Sequence, residues 1–111
     1  IALFTSSATL DSSTTVYSTS NESSGPGYTA GGGVLVNLGV SLSGTTAYLS
    51  WDNYTWSNAT ISAYGALIYN VSKQNRAVAV LSFGATYSST AGNFTITFPA
   101  NTSTTAVIIL N

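Results

Sequence analysis

Only five side chains of this 111-residue sequence carry a charge at neutral pH: Lys73 and Arg76 against Asp11, Glu22 and Asp52. That is 5% of the chain, where soluble domains carry about 25%. The apolar content is an ordinary 44%, so the deficit is not that of a disordered chain, which is poor in apolar residues and rich in charge. The length fits one domain, 1–111, with one core. Two cations form no basic patch for phosphates and no polybasic stretch for an anionic membrane. We therefore expect neither nucleic-acid binding nor membrane insertion. The longest apolar stretch, Ala63 to Tyr69, is far shorter than the roughly 18 residues that a spanning helix needs.

Hydroxyls take the place of charge. The chain holds 18 Ser and 17 Thr, while helix formers are scarce. Thr, Val, Ile and Tyr favour a pleated, half-buried surface, and Ser, Gly and Asn favour turns. The fold class expected is all-β.

Periodicity agrees. Val34, Val36, Leu38, Val40 and Leu42 alternate with Leu35, Asn37, Gly39, Ser41 and Ser43, the pattern of a half-buried strand. Ser43-Gly44 reads as a hairpin turn into a strand over Thr45–Trp51. Asn58–Tyr69 alternates at first and then becomes apolar on both faces, as in a strand that runs into a buried middle. Asn70–Asn75 reads as a polar loop, and Arg76–Phe83 and Asn93–Phe98 as further strands, the last stopped by Pro99. Thr105–Leu110, Ala2–Thr5 and Thr15–Ser18 complete about eight or nine short strands. Two packed antiparallel sheets bury such a set more economically than one, which predicts a β-sandwich, with a jelly roll as one form of it. Within the domain, residues 6–33 read as a Ser/Thr/Gly-rich loop segment with several positive-φ turns.

The sequence argues against an enzyme. Cys, His and Met are absent, which removes thiolate nucleophiles, disulfides, Cys/His metal sites and the commonest general base. Glycoside hydrolysis needs two nearby carboxyl groups, and only Asp11, Glu22 and Asp52 are available. No Asp/Asn run has calcium-loop spacing, and the glycine-rich stretch ending at Gly33 lacks a P-loop lysine. No catalytic, metal or cofactor-binding residue is expected. Trp51, Tyr54 and Trp56 cluster around Asp52 and could stack on a sugar ring; the competing reading makes Trp51 a core residue and Asp52-Asn53 a turn.

Six of nine Asn residues lie in N-x-Ser/Thr sequons: Asn21, Asn53, Asn58, Asn70, Asn93 and Asn101. Chance predicts roughly three in a chain so rich in hydroxyls. Asn93 and Thr95 lie opposite Phe94 and Ile96, so this sequon faces outward, and Asn58 with Thr60 reads the same way. We expect N-glycosylation at these positions, with covalent glycans in place of any cofactor. The physical motive is solubility, because β proteins normally guard their strand edges with charge or Pro. Here sugars, neighbouring copies or both must cover them. Ile1, Ala2, Leu3 and Phe4 form an uninterrupted apolar strand. It can be an interior strand of its own domain or, as residues 1–5, a donor that completes a neighbour's sheet.

Ile1–Asp11, the Gly27–Gly32 turn, Trp56–Tyr69, Ala77–Gly84 and Gly92–Phe98 resemble phrases of small β-sandwich structural proteins of tailed bacteriophages. In composition the chain is also similar to subunits of glycan-coated extracellular fibrils. The resemblance implies a virion or assembly role. The expected function is a non-enzymatic, homopolymerising, extracellular structural protein, the repeating subunit of a glycosylated filament. A virion decoration protein and a carbohydrate-binding module are the alternatives.

Overall fold

The computed structural model describes residues 1–110. The chain is all-β; the described residues form six strands and one 3-10 turn: β1 (Ala2–Phe4), β2 (Ser41–Ser43), β3 (Thr46–Leu49), β4 (Tyr54–Asn70), β5 (Arg76–Ile96) and β6 (Ile108–Leu110). They form two antiparallel three-stranded sheets, ordered β1-β4-β5 and β2-β3-β6. The described residues fall into two compact units, 1–33 with 56–94 and 34–55 with 95–110.

Six strands stand where eight or nine were expected, because two of them are long. The segment Arg76–Phe83 and the first part of Asn93–Phe98, as far as Ile96, are ends of one 21-residue strand, since the Ser/Thr-rich stretch between them stays extended. Thr15–Ser18 contributes only an isolated bridge, Val16 to Arg76.

In the first unit β4 carries the core. From Ala59 its odd residues point inward: Ala59, Ile61 and Ala63 are buried while Thr60, Ser62 and Tyr64 are exposed. Before that the phase is opposite, with Trp56 buried. The switch occurs at Asn58, whose φ is 49°. An extra residue in left-handed conformation inserts a bulge and shifts the inward side by one, and Asn tolerates that conformation better than most residues. From Gly65 to Ile68 both faces are buried, along the stretch where β1 pairs with β4: Ala2 pairs Leu67, Leu3 pairs Ala66 and Phe4 pairs Gly65. Ala2, Phe4 and Leu67 form the centre of the core, with Leu10, Tyr17, Tyr69, Ala77 and Val80 around them. Burying each large apolar side chain contributes about 1.5–3 kcal/mol.

The second unit is thinner. Trp51 and Phe98 pack with ring centroids 6.0 Å apart, beside buried Ile96 and Ala106. The β2–β3 hairpin closes on Gly44-Thr45, between the pair Ser43 and Thr46. Gly44 at φ 61° in the first central position gives the type II′ turn that matches strand twist. The expected half-buried strand over Val34–Leu42 is not found. Only Ser41–Ser43 is strand, and Val34, Val36, Leu38, Val40 and Leu42 are all exposed. Gly39 at φ 80° interrupts the run, and β2 lies at a sheet edge. Alternation groups side chains on a face without supplying anything to cover that face.

Gly32 fixes the entry of the chain. Its φ is 80°, and a Cβ there would lie 1.7 Å from the Ile1 carbonyl oxygen. That oxygen accepts the Gly33 N–H at 3.0 Å. Gly32→Ala is expected to destabilise the protein by about 2–4 kcal/mol, through strain and the displacement of β1. Urea denaturation of both proteins measures it.

Candidate functional site

The two features with functional potential are the slot that holds β1 and the uncovered margin of β5. In the slot, β4 pairs one side of β1. On the other side the Leu3 carbonyl accepts from Ser23 N–H at 2.9 Å, the Leu3 N–H donates to the Tyr28 hydroxyl at 2.9 Å, and Thr5 N–H donates to the Asn21 carbonyl at 3.0 Å. The Ile1 amine donates to the Gly33 carbonyl at 2.7 Å. Ile1, Ala2, Leu3 and Phe4 are all at least 95% buried. Residues predicted to mediate assembly thus form an interior strand of their own unit.

Glu22 organises the outer side of this slot. Its carboxylate accepts from the Tyr17 hydroxyl at 2.6 Å, the Tyr28 hydroxyl at 2.6 Å and the Gly31 N–H at 2.8 Å. Tyr69 stacks on Tyr17 at 4.5 Å and donates to the Gly31 carbonyl at 2.6 Å. Burial first, and the Glu22 hydrogen bond second, push the Tyr17 and Tyr28 hydroxyls well above the ordinary tyrosine range. Burial also raises Tyr69. In the sequence Glu22 reads only as one of three carboxyls. Its partners come from positions 17, 28 and 31, and no local pattern announces that convergence.

β5 is the outer strand of its sheet. Its start is covered: Ala77 N–H donates to the Thr15 carbonyl, and Tyr17 N–H to the Asn75 carbonyl, both at 2.9 Å. From Val78 to Ile96 the edge strand contains no charged residue and no Pro, the usual guards against edge-to-edge pairing. The local irregularities are Gly84 at φ 75° and Ala91 at φ 46°.

Five of the six sequon asparagines, Asn21, Asn53, Asn58, Asn70 and Asn93, are exposed. Asn53 accepts the Phe98 N–H on Oδ1 at 2.8 Å, and Asn70 accepts the Ser72 N–H on Oδ1 at 3.0 Å. Both use the oxygen and leave the amide nitrogen, the atom a glycan occupies, without a role in that bond. Asn21 donates from Nδ2 to the Ser7 carbonyl at 3.2 Å; a glycosylated amide keeps one N–H and can retain this bond. Asn101 differs, being half-buried with its Oδ1 enclosed and unpartnered.

Of the aromatic cluster, Tyr54 is half-buried and the two Trp rings are buried. Trp51 and Trp56 are 8% and 5% exposed; Trp51 packs on Phe98, and Trp56 packs on Tyr28 and Phe94 at 5.8 and 6.2 Å. The Asp11 carboxylate accepts the Ser13 N–H at 2.8 Å and the Ser13 hydroxyl at 2.5 Å, which holds it below its usual range. No group of three His, Cys, Asp or Glu side chains able to hold a metal occurs among the described residues. No helix among them is long and apolar enough to cross a membrane. No family model, curated protein or solved structure matches the chain.

The tyrosine shifts have a pH consequence. Unfolded tyrosines ionise near pH 10, whereas Tyr17 and Tyr28 resist ionisation when folded. Above about pH 10 the unfolded chain therefore binds fewer protons, and stability falls as pH rises. Tyrosinate absorbance is expected to show Tyr17 and Tyr28 ionising last, together with loss of structure. Tyr17→Phe and Tyr28→Phe each remove one late step.

Proposed function

We propose that this chain is a non-enzymatic structural subunit that polymerises into a glycosylated extracellular filament. The observation that supports this reading best is the bare margin of β5 in a chain with five charges. A long edge strand without charge or Pro pairs readily with other strands unless something covers it. Glycans on the exposed Asn21, Asn53, Asn58, Asn70 and Asn93 would keep the remaining surface dispersed, and Asn93 stands on β5 itself. The two-sheet sandwich expected from the strand pattern, jelly roll included, belongs to this reading.

The donor role of Ile1–Phe4 is part of the proposal in a revised form. These residues fill an interior slot, so Leu3→Lys would place a charge at a fully buried position and unfold the unit. A donor mechanism therefore has to be an exchange, in which β1 of one copy fills the slot of the next with the same contacts. Leu3 directs its own N–H and carbonyl away from β4, which makes Leu3 and Ala66 a non-hydrogen-bonded pair, with Cα atoms about 4.5 Å apart. That spacing suits a disulfide, in a chain without native Cys.

Two measurements test the reading. Intact mass of native material is expected well above 11.4 kDa, in sugar-sized steps, from filaments visible by electron microscopy. In filaments of a Leu3→Cys/Ala66→Cys variant, oxidation is expected to give a ladder of covalently joined copies on a non-reducing gel. Cross-linked single chains alone would exclude exchange of β1.

A further inference from the structure

The sheet of the second unit carries an apolar face. Cross-strand partners share a face, so the strand register aligns Leu42, Ala47 and Leu110 in one row. Leu49 and Ile108 form the next row, and Val40 precedes β2, two residues before Leu42. All six of these residues are aliphatic. Val40, Leu42 and Leu110 are 69%, 72% and 65% exposed, and the other three are half-buried. The opposite face bears Ser41, Tyr48 and Ile109.

We propose that this face is the contact between two copies of the chain, packed sheet to sheet, with the free margin of β2 alongside. Three observations select a second copy as the occupant. The face has no charge and no side-chain hydrogen-bonding group, so its complement must be equally apolar, and the same face on another copy satisfies this. Its three exposed side chains, 65–72% uncovered, give less than the ~800 Å² that each partner gives a standard interface, which fits a weak self-association. Backbone of the neighbouring β2 edge adds to that area. Finally, no sequon lies in residues 34–51 or 106–110, so the proposed glycan coat leaves this region bare while it covers others. The inference deepens the assembly reading and rests on it for the polymer, but the pairing of two copies is measurable without filaments.

The area corresponds to a modest affinity, so the dimer is expected at tens of micromolar rather than at nanomolar concentration. Sedimentation equilibrium of the soluble protein over about 1–200 μM reads it. Leu42→Asp and Leu110→Asp, both at exposed positions, are expected to weaken dimerisation by at least tenfold while circular dichroism stays unchanged. Val71→Asp, an equally exposed apolar position on the turn between β4 and β5, is the control and is expected to dimerise normally. A wild-type protein that stays monomeric across the range overturns the proposal, and so does undiminished dimerisation of Leu42→Asp and Leu110→Asp. Filaments formed by the double variant would overturn this contact as their joint and leave the filament reading standing. Absence of filaments from native material would do the reverse.

Discussion

The first unit depends on one carboxylate. Glu22 accepts three hydrogen bonds, and through Tyr28 it reaches the backbone of Leu3. Charge-assisted bonds of this kind are about twice as strong as neutral ones. The chain between β1 and β2 has no strand of its own; isolated bridges from Val16 to Arg76 and from Glu22 to Phe4, and backbone bonds at Ser23, Pro26 and Gly33, join the carboxylate in drawing it against the sheet. With the carboxylate in place, Gly31 and Gly32 are held beside Ile1, the Tyr17–Tyr69 stack closes over the core, and β1 has partners on both sides. One of only five charges thus serves the interior of the fold instead of its solubility.

Hydroxyls do the work that charges do elsewhere, but over shorter distances. Ser62 and Ser88 meet at 2.7 Å, and Thr55 and Thr95 at 2.9 Å. The Ser89 hydroxyl donates to the Ala59 carbonyl at 2.8 Å. Such bonds satisfy strand-face polarity locally, each with a net contribution of about 0.5–1.5 kcal/mol. They generate no long-range repulsion between molecules. A protein stabilised this way is well held together and poorly held apart from its copies.

Much of the fold was legible in the sequence because period-two alternation is a local signal. The odd inward residues of β4 from Ala59 to Ala63, the turn at Gly44 and the end of the last long strand before Pro99 all follow from it. The joining of two expected strands into β5 was not legible, since Ser and Thr serve loops and strands alike. Nor was the exposure of Val34 to Leu42, because coverage of a face depends on residues distant in sequence. The same limit hid the Glu22 site. Of its partners, Tyr17 and Tyr28 look like ordinary β-rich aromatics until the loop folds back. The sequons were readable as spacing, and Asn101 shows what spacing omits: its oxygen is enclosed where the pattern alone gives an accessible turn.

The bulge at Asn58 gives β4 two reading frames on one continuous backbone. Trp56 belongs to one frame and Ala59, Ile61 and Ala63 to the other. Removing or adding one residue between them would turn one set outward with no change in composition or hydrophobic content. The strand is therefore tolerant of many exchanges among its Ser and Thr residues but intolerant of a change in length at this point, so divergence here should proceed by substitution and not by indels.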